Sequence, residues 1–169
     1  VPFIARWPGR IPAGTLSDQL IANLDLLATF AAITGQPLTA AEGPDSFNIL
    51  PALTGTPAKA IREQLVLAPN SARHVALRSG PWVYISAQGD GGFGGIRGGP
   101  GSVGFSQRTN SDITPDGKIK PDAPPDQLYD LAADPQQTKN LVHDRAAIAD
   151  QLRAGLKTLR TTPRSAPTS

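Results

Sequence analysis

The stretch from His74 to Ile85 constrains the fold more than any other part of the chain. His74-Val75-Ala76-Leu77-Arg78 and Trp82-Val83-Tyr84-Ile85 lie on either side of Ser79-Gly80-Pro81. β-Branched and aromatic side chains fit a half-buried pleated surface, and Gly with Pro punctuates it, so the pattern predicts two antiparallel strands and a turn. A lone hairpin is marginal in water and needs a third strand or a helix. Gln127-Leu128-Tyr129-Asp130-Leu131 can supply the strand, and Leu65-Val66-Leu67-Ala68 reads as a further one leading into the hairpin. The helix comes from the last third of the chain, where Ile148, Leu152, Leu156 and Leu159 form one apolar stripe.

Around that final helix the residues predict several details. Asp134-Pro135 stops the strand ending at Leu131, and Asp144 is placed to cap the helix. Arg153, Lys157 and Arg160 read as a solvated face toward its C-terminal end, where positive charge suits the helix dipole. Residues 161–169 have the Pro, Ser and Thr content of a frayed tail.

The N-terminal part has a different spacing. Val1 to Trp7 reads as a short apolar strand whose natural partners lie outside this chain. Between Ser17 and Thr34, Leu20, Leu24, Leu27 and Ala31 share a helical face that Leu26, Phe30 and Ile33 widen. Ser17 and Asp25 compete as the cap. The shorter helix, from Asp25 to a stop at Gly35, is preferred, because the longer one has so few polar positions that it would need cover all round. Phe47 to Leu53 reads as a short apolar turn or helix containing Pro51, and a boundary falls at about residues 55–63.

The 17 glycines and 17 prolines make up about a fifth of the chain, where about 12% is usual, which favours long irregular connections. Nine of those glycines fall between Gln88 and Gly104. That run has no Gly-Lys-Ser/Thr ending and no strand-loop-helix setting, so it is not a Walker phosphate loop. It reads as a surface excursion or as a loop near an active-site mouth. A net charge of +2, with Arg and Lys scattered, gives no footprint for nucleic acid. The absence of Cys excludes disulfides, thiolate ligands and a Cys nucleophile. No apolar run is long enough to span a bilayer. The chain opens on Val1-Pro2-Phe3-Ile4 and contains no Met, so the expectation is that a signal and more have been removed or that this is a piece of a longer protein.

Little in the chain carries chemistry. His74 and His143 are its two imidazoles. His143 reads as a surface or packing residue, whereas His74, at the head of the hairpin and near the Gly-rich run, is the best candidate for ligand contact. Asp112, Asp116 and Asp122 lack the twelve-residue calcium pattern and its closing Glu. No Ser-His-Asp set, metal centre or paired-carboxylate glycosidase site can be assembled. Asp116-Gly117 marks a tight turn.

An ordered series of motifs changes this reading. Val1 to Gly14 resembles the PFI-x-R-WPG-x-I segment of the arylsulfatase family, and Ser17-Asp18-Gln19, Asp25 to Phe30 and Gly35 look like its next stretch. Ala28 stands where the family often has Pro, a change that leaves a helix intact. Ala76 to Trp82 resembles the A-[IL]-R-x-G-x-W strand pair, with Val83 in place of the usual Lys. Pro100 to Ser106 resembles a Gly-rich excursion of some bacterial members. Gln127 to Pro135 with Thr138 to Leu141 is like the LYDL-x-x-DP-x-x-x-x-NL segment.

The resemblance implies an α/β plus α+β architecture. Residues 1–55 would end the large sulfatase α/β domain. Residues 56–169 would form a small antiparallel-sheet subdomain, packed by the C-terminal helix and carrying the Gly-rich loop 88–106. It implies a parent hydrolase of sulfate esters in which a formylglycine, made from Cys or Ser in a C/S-x-P-x-R motif, attacks sulfur while a divalent metal, commonly calcium, stabilises charge. Neither that motif nor the metal-holding residues occur here, so no catalytic, metal or cofactor residue maps onto this chain. The expected partner is the missing N-terminal sulfatase domain, in the same parent chain or as a separate fragment, and the expected location is periplasmic or secreted. The chain then reads as a supporting portion that shapes the substrate entrance through His74 and the 88–106 loop. The alternatives are part of a related phosphonate or phosphate ester hydrolase, or a noncatalytic module that binds anionic glycans.

Overall fold

The computed structural model describes residues 2–39, 41–69, 74–89 and 109–167. The chain divides into two compact units, Val1–Glu63 with Thr162–Ser169, and Gln64–Thr161.

The first unit is built on helix α1, Asp25–Thr34, which is the shorter of the two expected helices. Leu24 rather than Asp25 occupies the cap position. Asp25 is the first helical residue and is fully buried. Its Oδ2 accepts the Ala22 N–H at 2.7 Å and its Oδ1 accepts the Phe47 N–H at 3.0 Å. Its counter-charge is the buried Arg62 guanidinium, which also donates to the Asp45 carbonyl at 2.8 Å and lies over the Phe47 ring. One turn along, Thr29 Oγ1 donates to the Asp25 carbonyl and accepts the Ile49 N–H at 3.0 Å. Ser46 Oγ accepts the Ala28 N–H at 2.9 Å, satisfying one of the four donors a helix start leaves open. At the other end Gly35 takes φ +68°, the left-handed stop that favours glycine, and the Gln36 N–H returns to the Ala31 carbonyl.

A short helix, α2, spans Leu50–Thr54 with Pro51 in its first turn, where a missing N–H costs nothing. Ala52 within it and Ile49 at its cap position are buried. Two expectations fail in this unit. Residues 2–7 form no strand, and Ile4 is 91% exposed, because an edge segment with no neighbour has nothing to pair with. The closing segment does not fray over its described part. Ser165 and Ala166 N–H groups both donate to the Pro44 carbonyl, Ser165 Oγ donates to Asp45 at 2.7 Å, and Ala166 is buried.

The second unit is a four-stranded antiparallel sheet in the order β1-β2-β3-β4, formed by Gln64–Leu67, Ala76–Ser79, Trp82–Ile85 and Gln127–Asp130. A 16-residue helix, α3, spans Ala146–Thr161 and packs on it. This is the antiparallel sheet with a C-terminal helix that the sequence predicts. Ser79 pairs with Trp82, so the hairpin turns on Gly80-Pro81 alone, and Gly80 takes the positive φ of 54° that a two-residue turn requires of its first central residue.

Period-two alternation divides the sheet's side chains into two layers. Leu77, Tyr84 and Leu128, cross-strand neighbours in register, join Val142, Ala149, Leu152 and Leu156 in the main core. Ala76, Val83, Ile85 and Tyr129 form a second cluster on the opposite face. Gly155 lets α3 approach closely, since a Cβ there would lie 3.3 Å from Leu77 Cδ2.

Candidate functional site

His74 stands two residues before β2, half-buried, with Nε2 3.0 Å from the Gln88 carbonyl oxygen just beyond β3. It therefore ties the two open ends of the hairpin together where the Gly-rich run begins. Ser86 adds a second tie, donating through N–H and Oγ to the Val75 carbonyl at 3.1 and 2.9 Å. Gln88 Nε2 reaches the Ala123 carbonyl at 2.7 Å. Gln88 and Gly89 are the described residues of the expected 88–106 loop, whose remainder lies outside the described residues.

Beneath this stem lies a polar network that sequence reading missed. Gln127, buried at the start of β4, donates to the Ala87 carbonyl at 2.6 Å and accepts from Tyr129 Oη at 2.6 Å. Asn110 Nδ2 donates to the Gly89 carbonyl at 2.9 Å. Buried Asp112 accepts from Ser111 Oγ and from Asn140 Nδ2 at 2.6 Å, while Asn140 Oδ1 accepts the Leu128 and Val142 N–H groups. Asn140 thus stitches β4 to the segment entering α3. Burial, with the negative charges of Asp112 and Asp134 adding to it, pushes the Tyr129 phenol well above its ordinary range.

A second cluster joins sheet to helix. Tyr84 Oη donates to Asp126 Oδ2 at 2.8 Å, and Arg153 of α3 donates to the same oxygen through Nε at 3.0 Å and Nη2 at 2.5 Å. Arg153 is therefore not part of a merely solvated face: its guanidinium also meets Asp150 and lies 5.7 Å from the Tyr84 ring centre. Burial first, then the hydrogen bond to Asp126, raise Tyr84 to about 12. Hydrogen bonds to Asp126 and Tyr84 hold Arg153 above its ordinary value.

The remaining candidates are absorbed locally. Asp116 is held at about 2 by hydrogen bonds from Lys118 and Thr114, at the turn where Gly117 takes φ +82°. Asp144 does not serve as a helix cap, because its carboxylate is drawn 2.9 Å from Lys139 Nζ. His143 is exposed. Among the described residues no group of three or more His, Asp or Glu is placed to hold a metal ion. No helix among the described residues is long and apolar enough to cross a membrane. The buried carboxylates Asp25, Asp112 and Asp126 already accept protein donors, and the sequence contains no C/S-x-P-x-R motif, so the described residues do not fit the formylglycine and calcium of a sulfatase centre.

No protein-family model matches the chain. The chain is homologous to the arylsulfatase family, in the alkaline phosphatase superfamily, over most of its length. It is 31% identical to human arylsulfatase A over 170 residues and 26% identical to the N-acetylgalactosamine-6-O-sulfatase of Bacteroides thetaiotaomicron over 161 residues. Those alignments cover 94% and 95% of this chain but 29% and 27% of the relatives, so the chain spans under a third of their length. A solved structure from the metabolism of multiple glycosaminoglycans by Bacteroides thetaiotaomicron superposes with a TM-score of 0.67 at 26% identity, covering 95% of this chain and 29% of that one.

Proposed function

We propose that this chain is the C-terminal portion of a sulfatase that hydrolyses sulfate esters, and that it supports the fold without catalysing alone. In this reading residues 1–55 finish the large α/β domain and residues 56–169 form the smaller subdomain. The observation that carries it is the outer face of α1. Asp25 and Thr29 point into their own unit, yet at 3.6 residues per turn Leu27 and Phe30 lie roughly opposite them and are 50% and 58% exposed. Leu24 and Ile33 flank these at 46% and 37% exposed. A helix apolar all round needs cover on both sides, and here one side is bare. The occupant in this reading is the sulfatase polypeptide that carries the formylglycine motif and the metal ligands.

His74 is assigned the role of holding the base of the 88–106 loop at the substrate entrance, supported by its contact with the Gln88 carbonyl. The test is an ester-hydrolysis assay of this chain alone and co-expressed with the motif-bearing portion of the parent enzyme. Turnover of an aryl sulfate is expected only for the combination, and Leu27→Asp with Phe30→Asp should abolish it. Hydrolysis by this chain alone would overturn the reading. Preference for phosphate or phosphonate esters would move the parent to the related hydrolases.

A further inference from the structure

The two edges of the sheet are finished differently, and the register shows how. The Ser86 N–H donates to the Val75 carbonyl at 3.1 Å, and Ser79 faces Trp82 across the two-residue turn. Backbone direction alternates along a strand, so on β2 the groups of Leu77 and Ser79 point toward β3. Those of Ala76 and Arg78 then point the other way, to their partners Leu67 and Leu65 on β1. By the same alternation the N–H and C=O groups of Gln64 and Val66 point out of the sheet at its β1 edge.

At the β4 edge the outward groups are covered. The Leu128 N–H donates to Asn140 Oδ1 at 3.0 Å, the Leu128 carbonyl accepts the Leu141 N–H at 2.8 Å, and the Asp130 carbonyl accepts the Asp134 N–H at 2.7 Å. At the β1 edge no described residue outside the sheet bonds to the backbone of Gln64 or Val66. The devices that blunt a strand edge are missing too. Gln64-Leu65-Val66-Leu67 has no charge, Pro or Gly, and Val66 and Leu67 are 37% and 42% exposed.

From this asymmetry we propose that the β1 edge pairs with the β1 edge of a second copy of the chain, joining the two sheets antiparallel about a two-fold axis at Leu65. An open edge selects an extended strand, and this one is its own complement. With Leu65 opposite Leu65 of the second copy, Gln64 of each exchanges N–H and C=O with Val66 of the other, so every outward group of β1 is paired. Leu65 at the axis forms an apolar pair of the non-hydrogen-bonded kind, in which side chains approach most closely. Glu63 stands opposite Leu67 of the second copy, so no like charges meet along the seam. A seam of four residues a side falls short of the roughly 1,200 Å² of a standard interface, so the dimer is weak, with Kd about 0.1–1 mM. The inference does not rest on the sulfatase reading, since it concerns the second unit alone.

The chain has no native Cys, so a cysteine placed in β1 is its one thiol. Under mild oxidation Leu65→Cys should form a disulfide-linked dimer at least about tenfold faster than Val66→Cys, because only position 65 meets itself at a spacing a disulfide can bridge. Sedimentation equilibrium of the full chain up to about 1 mM should show a reversible dimer. Val66→Pro removes an outward N–H without touching the bonds between β1 and β2, and should give a monomer with unchanged circular dichroism. Val66→Lys, a charge on the same edge, should do the same. Each measurement is made with Leu27→Asp and Phe30→Asp also present, which excludes association through the outer face of α1. A monomer at every concentration, equal crosslinking from the two thiols, or a dimer that survives both Val66→Pro and Val66→Lys would overturn the proposal. So would protection of the Leu65→Cys thiol by the co-expressed motif-bearing portion of the parent enzyme, which would make that polypeptide the strand's partner.

Discussion

Arg153 and Asp126 meet across the gap between α3 and the start of β4, with two guanidinium nitrogens on one carboxylate oxygen at 3.0 and 2.5 Å. Tyr84 donates to that same oxygen at 2.8 Å, so one acceptor joins strand, loop and helix. Asp126 is 10% exposed and Arg153 48%, so removing Arg153 strands a poorly solvated carboxylate, whereas removing Asp126 leaves a half-exposed guanidinium and a Tyr84 hydroxyl without that acceptor. Asp126→Ala is expected to destabilise the chain by about 2 kcal/mol and Tyr84→Phe by about 1 kcal/mol. Urea denaturation of both variants checks this. A double-mutant cycle of Asp126→Asn with Arg153→Met should show coupling, because the residues touch.

The buried pair in the first unit makes a sharper test. Asp25 accepts two backbone N–H groups besides meeting Arg62, and neither side chain reaches water appreciably. Arg62→Met strands the carboxylate, and Asp25→Ala strands the guanidinium; each is expected to cost about 3–5 kcal/mol. The double variant should cost less than the two singles added together. Additive losses in equilibrium denaturation would show that the two groups are not coupled.

Both tyrosines of the chain are Tyr84 and Tyr129, and both are raised above the ordinary phenol value of about 10. A phenol whose folded value is raised favours the folded state in its protonated form. Its contribution is complete below about pH 10 and is lost as pH climbs toward about 12, the folded value of Tyr84. Spectrophotometric titration should therefore show almost no tyrosinate at about pH 10, then a steep rise coincident with loss of circular dichroism. A gradual, half-complete ionisation at about pH 10 with the fold intact would contradict the buried hydroxyl geometry.

His74→Ala removes the tie to the Gln88 carbonyl while Ser86 keeps its own to Val75. The expected loss of global stability is small, about 1 kcal/mol or less. Amide exchange at residues 86–89 should quicken, and in the full parent enzyme substrate turnover should fall more than stability does. Unchanged kinetics over the same substrate range would remove His74 from the entrance.

Charges placed on the outer face of α1 test its lack of a partner in this chain. Leu27→Asp and Phe30→Asp are expected to leave denaturation midpoints within about 0.5 kcal/mol of the parent, since both side chains are at least half exposed. Binding of a hydrophobic dye should drop in the same variants. A large destabilisation would mean that these side chains are buried within the chain itself.

The amino-acid order alone determined the hairpin, its register and the buried side of the last helix. Alternation in 74–78 and 82–85 with Gly80 between them fixes hairpin and register, because a one-residue slip would turn Leu77 and Tyr84 out of the core. The spacing of Leu152 and Leu156 fixes the buried side of α3, and Gly35 fixes the end of α1. The motif series also carried the family homology, which no isolated residue could. Tertiary structure alone decided which polar side chains matter. Asp126 lies 27 residues from Arg153 and 42 from Tyr84, and Asp25 lies 37 from Arg62, so nothing local links them. It also decided that Asp144 turns to Lys139 instead of capping a helix, and that the segment from Ser165 to Ala166 docks on Pro44 instead of fraying. The physical reason is that backbone propensity and apolar period act over a few residues and are written in the chain. Hydrogen bonds and ion pairs between distant side chains exist only after the apolar layers have brought their elements together.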